Sequence, residues 1–205
     1  EAGGKNGVIH ADEVTREYNK ERTHKEGTLY KSDSDAQYVF HKVYDASSME
    51  PMVAKPHSPD NKATAKECGN VKLDRSYIGS CTGGKTTDFR AAAKLLKGKT
   101  VKIDTFIVPA TRDVETSLHK ESLDGESLMD IFKNAGCRIG EPSCAACLGG
   151  PKDTFGRLQG SEVVISTTNR NFPGRMGSKS AHVYLAAPYS VAASALAGYI
   201  TDPRE

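Results

Sequence analysis

The sequence lacks any apolar run approaching the roughly 18 residues that a membrane-spanning helix requires, so hydropathy offers no transmembrane helix and no membrane partner. It also lacks a charge excess of either sign. Twenty-eight Lys and Arg stand against 26 Asp and Glu, a formal net of +2 with a pI near 8.3. That balance carries no electrostatic footprint for a nucleic-acid partner. An even, closely spaced cysteine framework is missing as well. Five cysteines at irregular intervals argue against a secreted disulfide scaffold and for reduced thiols. No initiating Met and no signal or transit pattern are present, and the opening run Glu1-Ala-Gly-Gly-Lys-Asn-Gly7 suggests a fragment or a processed product. What is there permits a core without being greasy: 205 residues, 37% hydrophobic, mean hydropathy −0.52.

The two parts of the chain differ in texture. Residues 1–70 are polar and weakly periodic. A short helix is expected over 11–20, where Val14 and Tyr18 share a face, then a charge-mixed loop over 20–34. Residues 38–44, Tyr-Val-Phe-His-Lys-Val-Tyr, alternate as a strand does. The three prolines of residues 48–61 predict extended loop and a domain boundary nearby. From residue 71 strands and helices alternate. Strands are expected at 75–79, 101–108, 162–166 and 182–185, and helices at 87–96, 127–135 and 190–200. This rhythm predicts a layered α/β domain over 71–205 with a mainly parallel sheet, preceded over 1–70 by the tail of another domain and a linker. In such sheets sites form in the loops at strand C-termini, and Cys81 and Asn169 each follow an expected strand.

Three stretches carry chemistry. Pro142-Ser-Cys-Ala-Ala-Cys147-Leu-Gly-Gly-Pro151 sets two thiols three positions apart in a small-residue loop. Cys81 lies upstream in Ser76-Tyr-Ile-Gly-Ser-Cys-Thr-Gly-Gly84, and Asn169-Arg-Asn-Phe-Pro-Gly-Arg175 follows downstream. Two readings compete for the Cys81 loop. Residues 79–86 match the phosphate-loop pattern G-x-x-x-x-G-K-[ST], with strand before and helix after. A nucleotide hydrolase also needs an Asp at the end of a later strand for magnesium, and Asp104 is placed too early in its strand for that. The metal reading uses all three stretches. Separated thiolates suit an iron–sulfur cluster, whereas structural zinc wants a fourth ligand that Cys68, Cys137 and His119 do not offer at convincing spacing. A dithiol redox pair at Cys144 and Cys147 leaves Cys81 and the arginines without a role.

Together, residues 79–82, 143–149 and 166–177 resemble the aconitase superfamily, and the likeness runs from the first residues to the last. The Ser166-to-Gly177 run and residues 186–194 are most similar to the branch that isomerises isopropylmalate in leucine biosynthesis. Homoaconitase and aconitase are the nearest alternatives. The resemblance implies an aconitase-like fold, one [4Fe–4S] cluster per chain on Cys81, Cys144 and Cys147, and one iron left open as a Lewis acid. It implies dehydration of 2-isopropylmalate and rehydration to 3-isopropylmalate. Arg170 and Arg175 would bind the dicarboxylate substrate through guanidinium forks, and Asn169 would hydrogen-bond substrate or cluster. Glu50 would be the acid/base group near the leaving water. A small subunit would complete the site and supply the catalytic base, so the chain by itself is expected to be inactive. The implied setting is the cytoplasm of a prokaryote or the stroma of a plastid. Cys68 and Cys137 read as buried thiols without chemistry, Lys85 as a contact to a helix terminus, and His57 as a candidate lining residue.

Overall fold

A computed structural model describes residues 6–25 and 27–205. The opening run Glu1–Lys5, on which the full-length resemblance partly drew, and Glu26 of the charge-mixed loop lie outside the described residues. The chain divides into two compact units, one ending at Met49 and one running from Glu50 to Glu205.

Among its described residues the first unit holds one α-helix, α1 (Glu13–Lys20), started by Asp12, whose carboxylate accepts from the Thr15 N–H at 2.8 Å. None of its described residues is buried. The strand expected over 38–44 does not form. That segment makes no ladder, and Tyr38, Val39, Phe40, Val43 and Tyr44 are all exposed. Alternation specifies a face, but a strand also needs a neighbour to take its backbone groups.

The second unit is built on a seven-stranded sheet. Its strands are β1 (Met52–Ala54), β2 (Lys62–Thr64), β3 (Arg75–Gly79), β4 (Asp104–Val108), β7 (Arg138–Ile139), β8 (Val163–Ser166) and β9 (His182–Ala186). Two further short strands, β5 (Ser122–Leu123) and β6 (Glu126–Ser127), make a separate hairpin. The sheet order is β2-β1-β9-β8-β3-β4-β7, parallel from β9 to β7, with β1 and β2 antiparallel at one edge. The mainly parallel α/β sheet expected from the sequence is therefore present. The edge pair is a departure, since residues 48–61 read as loop. Pro51 and Pro56 flank β1, and the strand forms because Val53 and Ala54 dock on Ala186 and Leu185. These ladders put residues 50–70 in the same compact unit as the parallel strands, a unit that begins within the proline-bearing stretch 48–61.

The five remaining helices are α2 (Ser80–Gly83), α3 (Thr86–Leu96), α4 (Arg112–Lys120), α5 (Leu128–Asn134) and α6 (Pro188–Ala197). In α3 the buried residues Phe89, Ala92, Ala93 and Leu96 follow the one-face helical spacing, and Asp88 accepts from the Lys85 N–H at 3.0 Å to fix its start. Pro188 opens α6, and Gly198, at φ +87°, closes it. Alternation along the strands separates two apolar layers. Ile78, Ile107 and Ile165 face the helices, packing with Phe89, Leu118, Phe132 and Val191. Tyr77, Phe106, Val108, Val164 and Val183 face the other way, where Ala146, Leu158, Met176 and Ala181 of the irregular segment 140–181 cover them. No described helix is long and apolar enough to cross a membrane.

Chain order singles out one crevice. From β3 the chain steps outward to β4 and β7, then returns to β8 on the opposite side of β3 and goes on to β9. The order thus reverses between β3 and β8, and the crevice beyond their C-terminal ends is where open α/β sheets bind ligands.

Candidate metal centre

Three loops reach that crevice. The first leaves β3 through Gly79 and Ser80 into α2, which carries Cys81. Ser80 sits at φ +72°, a left-handed conformation that a non-glycine residue adopts at a cost of about 1–3 kcal/mol, so surrounding contacts must hold it. Thr167, just past β8, holds it. Its buried hydroxyl accepts from the Gly79 N–H at 2.9 Å and lies 3.0 and 3.1 Å from the Gly79 and Gly83 carbonyls, to which it donates. Its own N–H donates to the Tyr77 carbonyl at 3.0 Å. Gly83 is required here, because a Cβ would stand 2.3 Å from the Thr167 Cβ. Thr167→Val keeps the shape and deletes the hydroxyl, leaving a buried N–H without its acceptor. The expected cost is about 1–3 kcal/mol, read as a lowered urea midpoint with an unchanged slope.

The second loop carries Cys144 and Cys147. The Ser143 N–H donates to the Pro109 carbonyl at the end of β4, and the Ala145 N–H donates to the Ser143 hydroxyl at 2.9 Å. A single 3-10 turn, Ala146–Leu148, follows and ends on Gly149 in the left-handed region at φ +66°. A Cβ there would stand 2.9 Å from the Gly174 carbonyl and 3.3 Å from that of Arg175. Gly149 is thus the joint that lets the cysteine loop rest on the backbone of the third loop, residues 167–177. Arg157 ties the far side, its Nε donating to the Gly150 carbonyl at 2.7 Å.

The three thiols expected as ligands come together. Cys81 and Cys147 are both close enough to the Cys144 thiol to act on its charge. Burial pushes the Cys144 thiol up to about 11. The Cys81 amide opposes that rise, and the Cys147 and Cys81 thiolates add to it. A cationic centre would favour the thiolate of Cys144, inverting the local balance. Among the described residues no three His, Cys, Asp or Glu converge closely enough to hold one metal ion, as a mononuclear zinc site needs. A cluster instead takes each thiolate on a different iron and accepts a wider spacing. In β3 and the third loop four buried polar atoms have no partner: the Tyr77 hydroxyl, Asn169 Oδ1, Asn171 Oδ1 and Arg175 Nε. Buried polar groups are nearly always satisfied, so their vacancy marks a place for ligand atoms. The residues present fit an iron–sulfur centre.

Other candidate residues sort as follows. Asn169 and Arg175 are half-buried in the third loop, with the Arg175 guanidinium carbon 5.6 Å from the Phe172 ring centre. Arg170 is exposed. The Glu50 carboxylate is ion-paired with Arg204, which also grips Asp202 at 2.7 Å, so this pairing leads to the C-terminal segment and not to the cysteines. His57 does not line the crevice. It stacks on His182, the first residue of β9, with ring centres 5.3 Å apart, at the opposite end of the sheet. Lys85 donates to the Cys81 and Thr82 carbonyls at 2.9 and 2.8 Å, closing the turn of α2. The phosphate-loop reading loses its lysine to these bonds, and Asp104 is the first residue of β4, bound to Arg138. Cys68 and Cys137 lie in the helix-side core, and burial pushes Cys137 up to about 12.

Sequence reasoning missed Tyr77, Thr167 and Asn171. The last clamps the third loop, its amide nitrogen donating to the Lys55 and Val183 carbonyls at 2.8 and 3.0 Å. Only the small polar residue types in the Ser166-to-Asn171 run hinted at these bonds.

Residues 61–198 match the family described as "Aconitase family (aconitate hydratase)". Over its whole length the chain is 54% identical to a protein of Arabidopsis thaliana named "3-isopropylmalate dehydratase large subunit, chloroplastic", covering 42% of it. It is 47% identical to the protein named "3-isopropylmalate dehydratase large subunit" of a Hydrogenobaculum species and 44% identical to the Pyrococcus furiosus protein named "3-isopropylmalate dehydratase large subunit 1", again over the whole chain and 47% of each relative. The chain spans about half the length of the curated relatives it matches.

Proposed function

The chain belongs to the aconitase family, and on that footing we propose that it is the cluster-bearing part of a 3-isopropylmalate dehydratase large subunit, isomerising 2-isopropylmalate to 3-isopropylmalate by dehydration and rehydration. The observation that carries this reading is the closeness of Cys81 and Cys147 to Cys144, in a chain alike throughout to relatives of that name. When bound on the three thiolates, a [4Fe–4S] cluster supplies a Lewis-acidic iron that eases departure of the substrate hydroxyl.

The chain's own residues bind and orient. Arg175 offers a guanidinium fork to one substrate carboxylate, and its unpartnered Nε is one prong. Arg170, exposed on the same loop, takes the second carboxylate. Asn169 Oδ1 is an acceptor and so receives a hydrogen bond from the substrate hydroxyl or from water. Glu50 serves as the proton carrier only after exchanging Arg204 for the departing water. A small subunit completes the site and brings the catalytic base, in keeping with the "large subunit" in the relatives' names. A plastid is the setting that fits the Arabidopsis relative's name, and the cytoplasm is the alternative that fits the prokaryotic relatives.

The test is turnover by the full-length large subunit, reconstituted anaerobically with iron and sulfide and mixed with its small subunit. We expect isopropylmalate to be favoured over homocitrate and citrate by about 100-fold in kcat/KM, the range that an apolar side arm can supply. Equal or faster turnover of citrate would remove the isopropylmalate assignment and leave aconitase chemistry.

A further inference from the structure

Tyr77 is an unusual residue to find in the wall of a thiol site. It stands in β3, four positions before Cys81, and is 1% exposed. Its ring is wedged between two glycines. A Cβ on Gly79 would lie 2.8 Å from Tyr77 Cε1, and one on Gly156 would lie 2.9 Å from Cε2. Only glycine leaves room for the ring at these two positions, which flank its edges on either side of the hydroxyl. Yet the hydroxyl is buried and bonds to nothing. Leaving a buried donor unpaired is unfavourable, and a buried tyrosine O–H usually has a partner.

The neighbourhood indicates the partner. Tyr77 borders a cavity of about 410 Å³ together with Ser143 and Ala146, each adjacent in sequence to a site cysteine, Cys144 and Cys147 respectively. Tyr77 and Ala146 also pack in the same apolar layer. Glu115 and Glu141 line that cavity too, but the hydroxyl bonds to neither. A tyrosine hydroxyl carries one O–H and so can donate.

Resting on the cluster reading above, we propose that the Tyr77 hydroxyl donates a hydrogen bond to a sulfur of the centre held by Cys144 and Cys147, and thereby raises its reduction potential. A donor at a sulfur draws off electron density and favours the reduced, more negative state. Hydrogen bonds to sulfur are among the main controls of such potentials. Tyr77 is then a positioning residue: it touches the centre without carrying a step of the reaction.

The test compares wild type with Tyr77→Phe in the full-length large subunit with its small subunit, reconstituted anaerobically with iron and sulfide. Three quantities are read: iron per chain, reduction potential by dye-mediated titration followed by electron paramagnetic resonance, and the shift of the iron–sulfur Raman bands in deuterium oxide. The expected result is equal iron loading, a lower potential in the phenylalanine variant, and loss of part of the deuterium shift. Equal potentials and equal deuterium shifts at equal loading overturn the proposal. So does a variant that loads no iron, because the hydroxyl would then be holding the fold or the ligands and not adjusting a bound centre. If wild type itself loads no cluster, the cluster reading falls and this proposal falls with it.

Discussion

Cys144→Ser is expected to empty the metal centre. In the full-length large subunit, anaerobic reconstitution should give no stable cluster signal, and turnover should fall below about one-thousandth of wild type, the several kcal/mol that a Lewis-acidic metal contributes. Serine keeps the size and loses the soft, ionisable sulfur that iron in clusters selects. Cys144 is the member of the set in touch with both others, through the Cys81 amide and thiol and the charge of Cys147. Cys81→Ser and Cys147→Ser should act alike, with one difference. Cys147 is buried in its turn and Cys81 is exposed, so only Cys147→Ser should also lower the stability of the metal-free protein. Cys68→Ser and Cys137→Ser, in the helix-side core, should load iron normally while losing stability by about 1 kcal/mol or more. A cluster retained in Cys144→Ser, or lost in Cys137→Ser with the fold intact, would place the centre elsewhere.

The sequence made some of this legible and hid the rest for physical reasons. Thr86–Leu96 and Pro188–Ala197 were readable because spacing and caps are local. The three chemical stretches were readable because small residues, cysteines and arginines cluster there, and their meeting followed from strands placed just before them. Hidden were the features that exist only once distant strands are neighbours. Thr167 means nothing in sequence until β8 lies beside β3 and brings its hydroxyl to Gly79. Tyr77 looks like any core aromatic until two glycines from different segments close on its ring. α4 carries a single buried residue, Leu118, and so shows almost no apolar stripe to read. The segment 38–44 misled in the opposite sense, since alternation without a partner strand leaves five large apolar side chains exposed. The phosphate-loop pattern misled through its letters, which fix composition but not which way Lys85 turns.

Arg175→Lys is expected to lower kcat/KM for isopropylmalate nearly as far as Arg175→Ala, by several hundred- to a few thousand-fold, although lysine keeps the charge. The loss corresponds to about 3–5 kcal/mol for breaking a desolvated charge pair by truncating one side. The physical reason is the fork. Lysine presents one ammonium on a flexible stem, and it cannot reproduce two parallel N–H donors to a carboxylate. The loop holds the arginine ready for that role: its N–H donates to the Phe172 carbonyl at 3.0 Å, and its guanidinium carbon lies 5.6 Å from the Phe172 ring centre. Gly149 seats the cysteine loop against the Gly174 and Arg175 carbonyls, which fixes the arginine backbone relative to the thiols. The arginine is thus aimed before substrate arrives, and the fall should appear in kcat as well as KM, because misplaced substrate reacts slowly once bound. Iron loading and melting temperature should match wild type in both variants, which separates a substrate contact from a structural one. A lysine variant with near wild-type kcat/KM would mean that Arg175 supplies charge alone, and the fork would then have to be sought at Arg170.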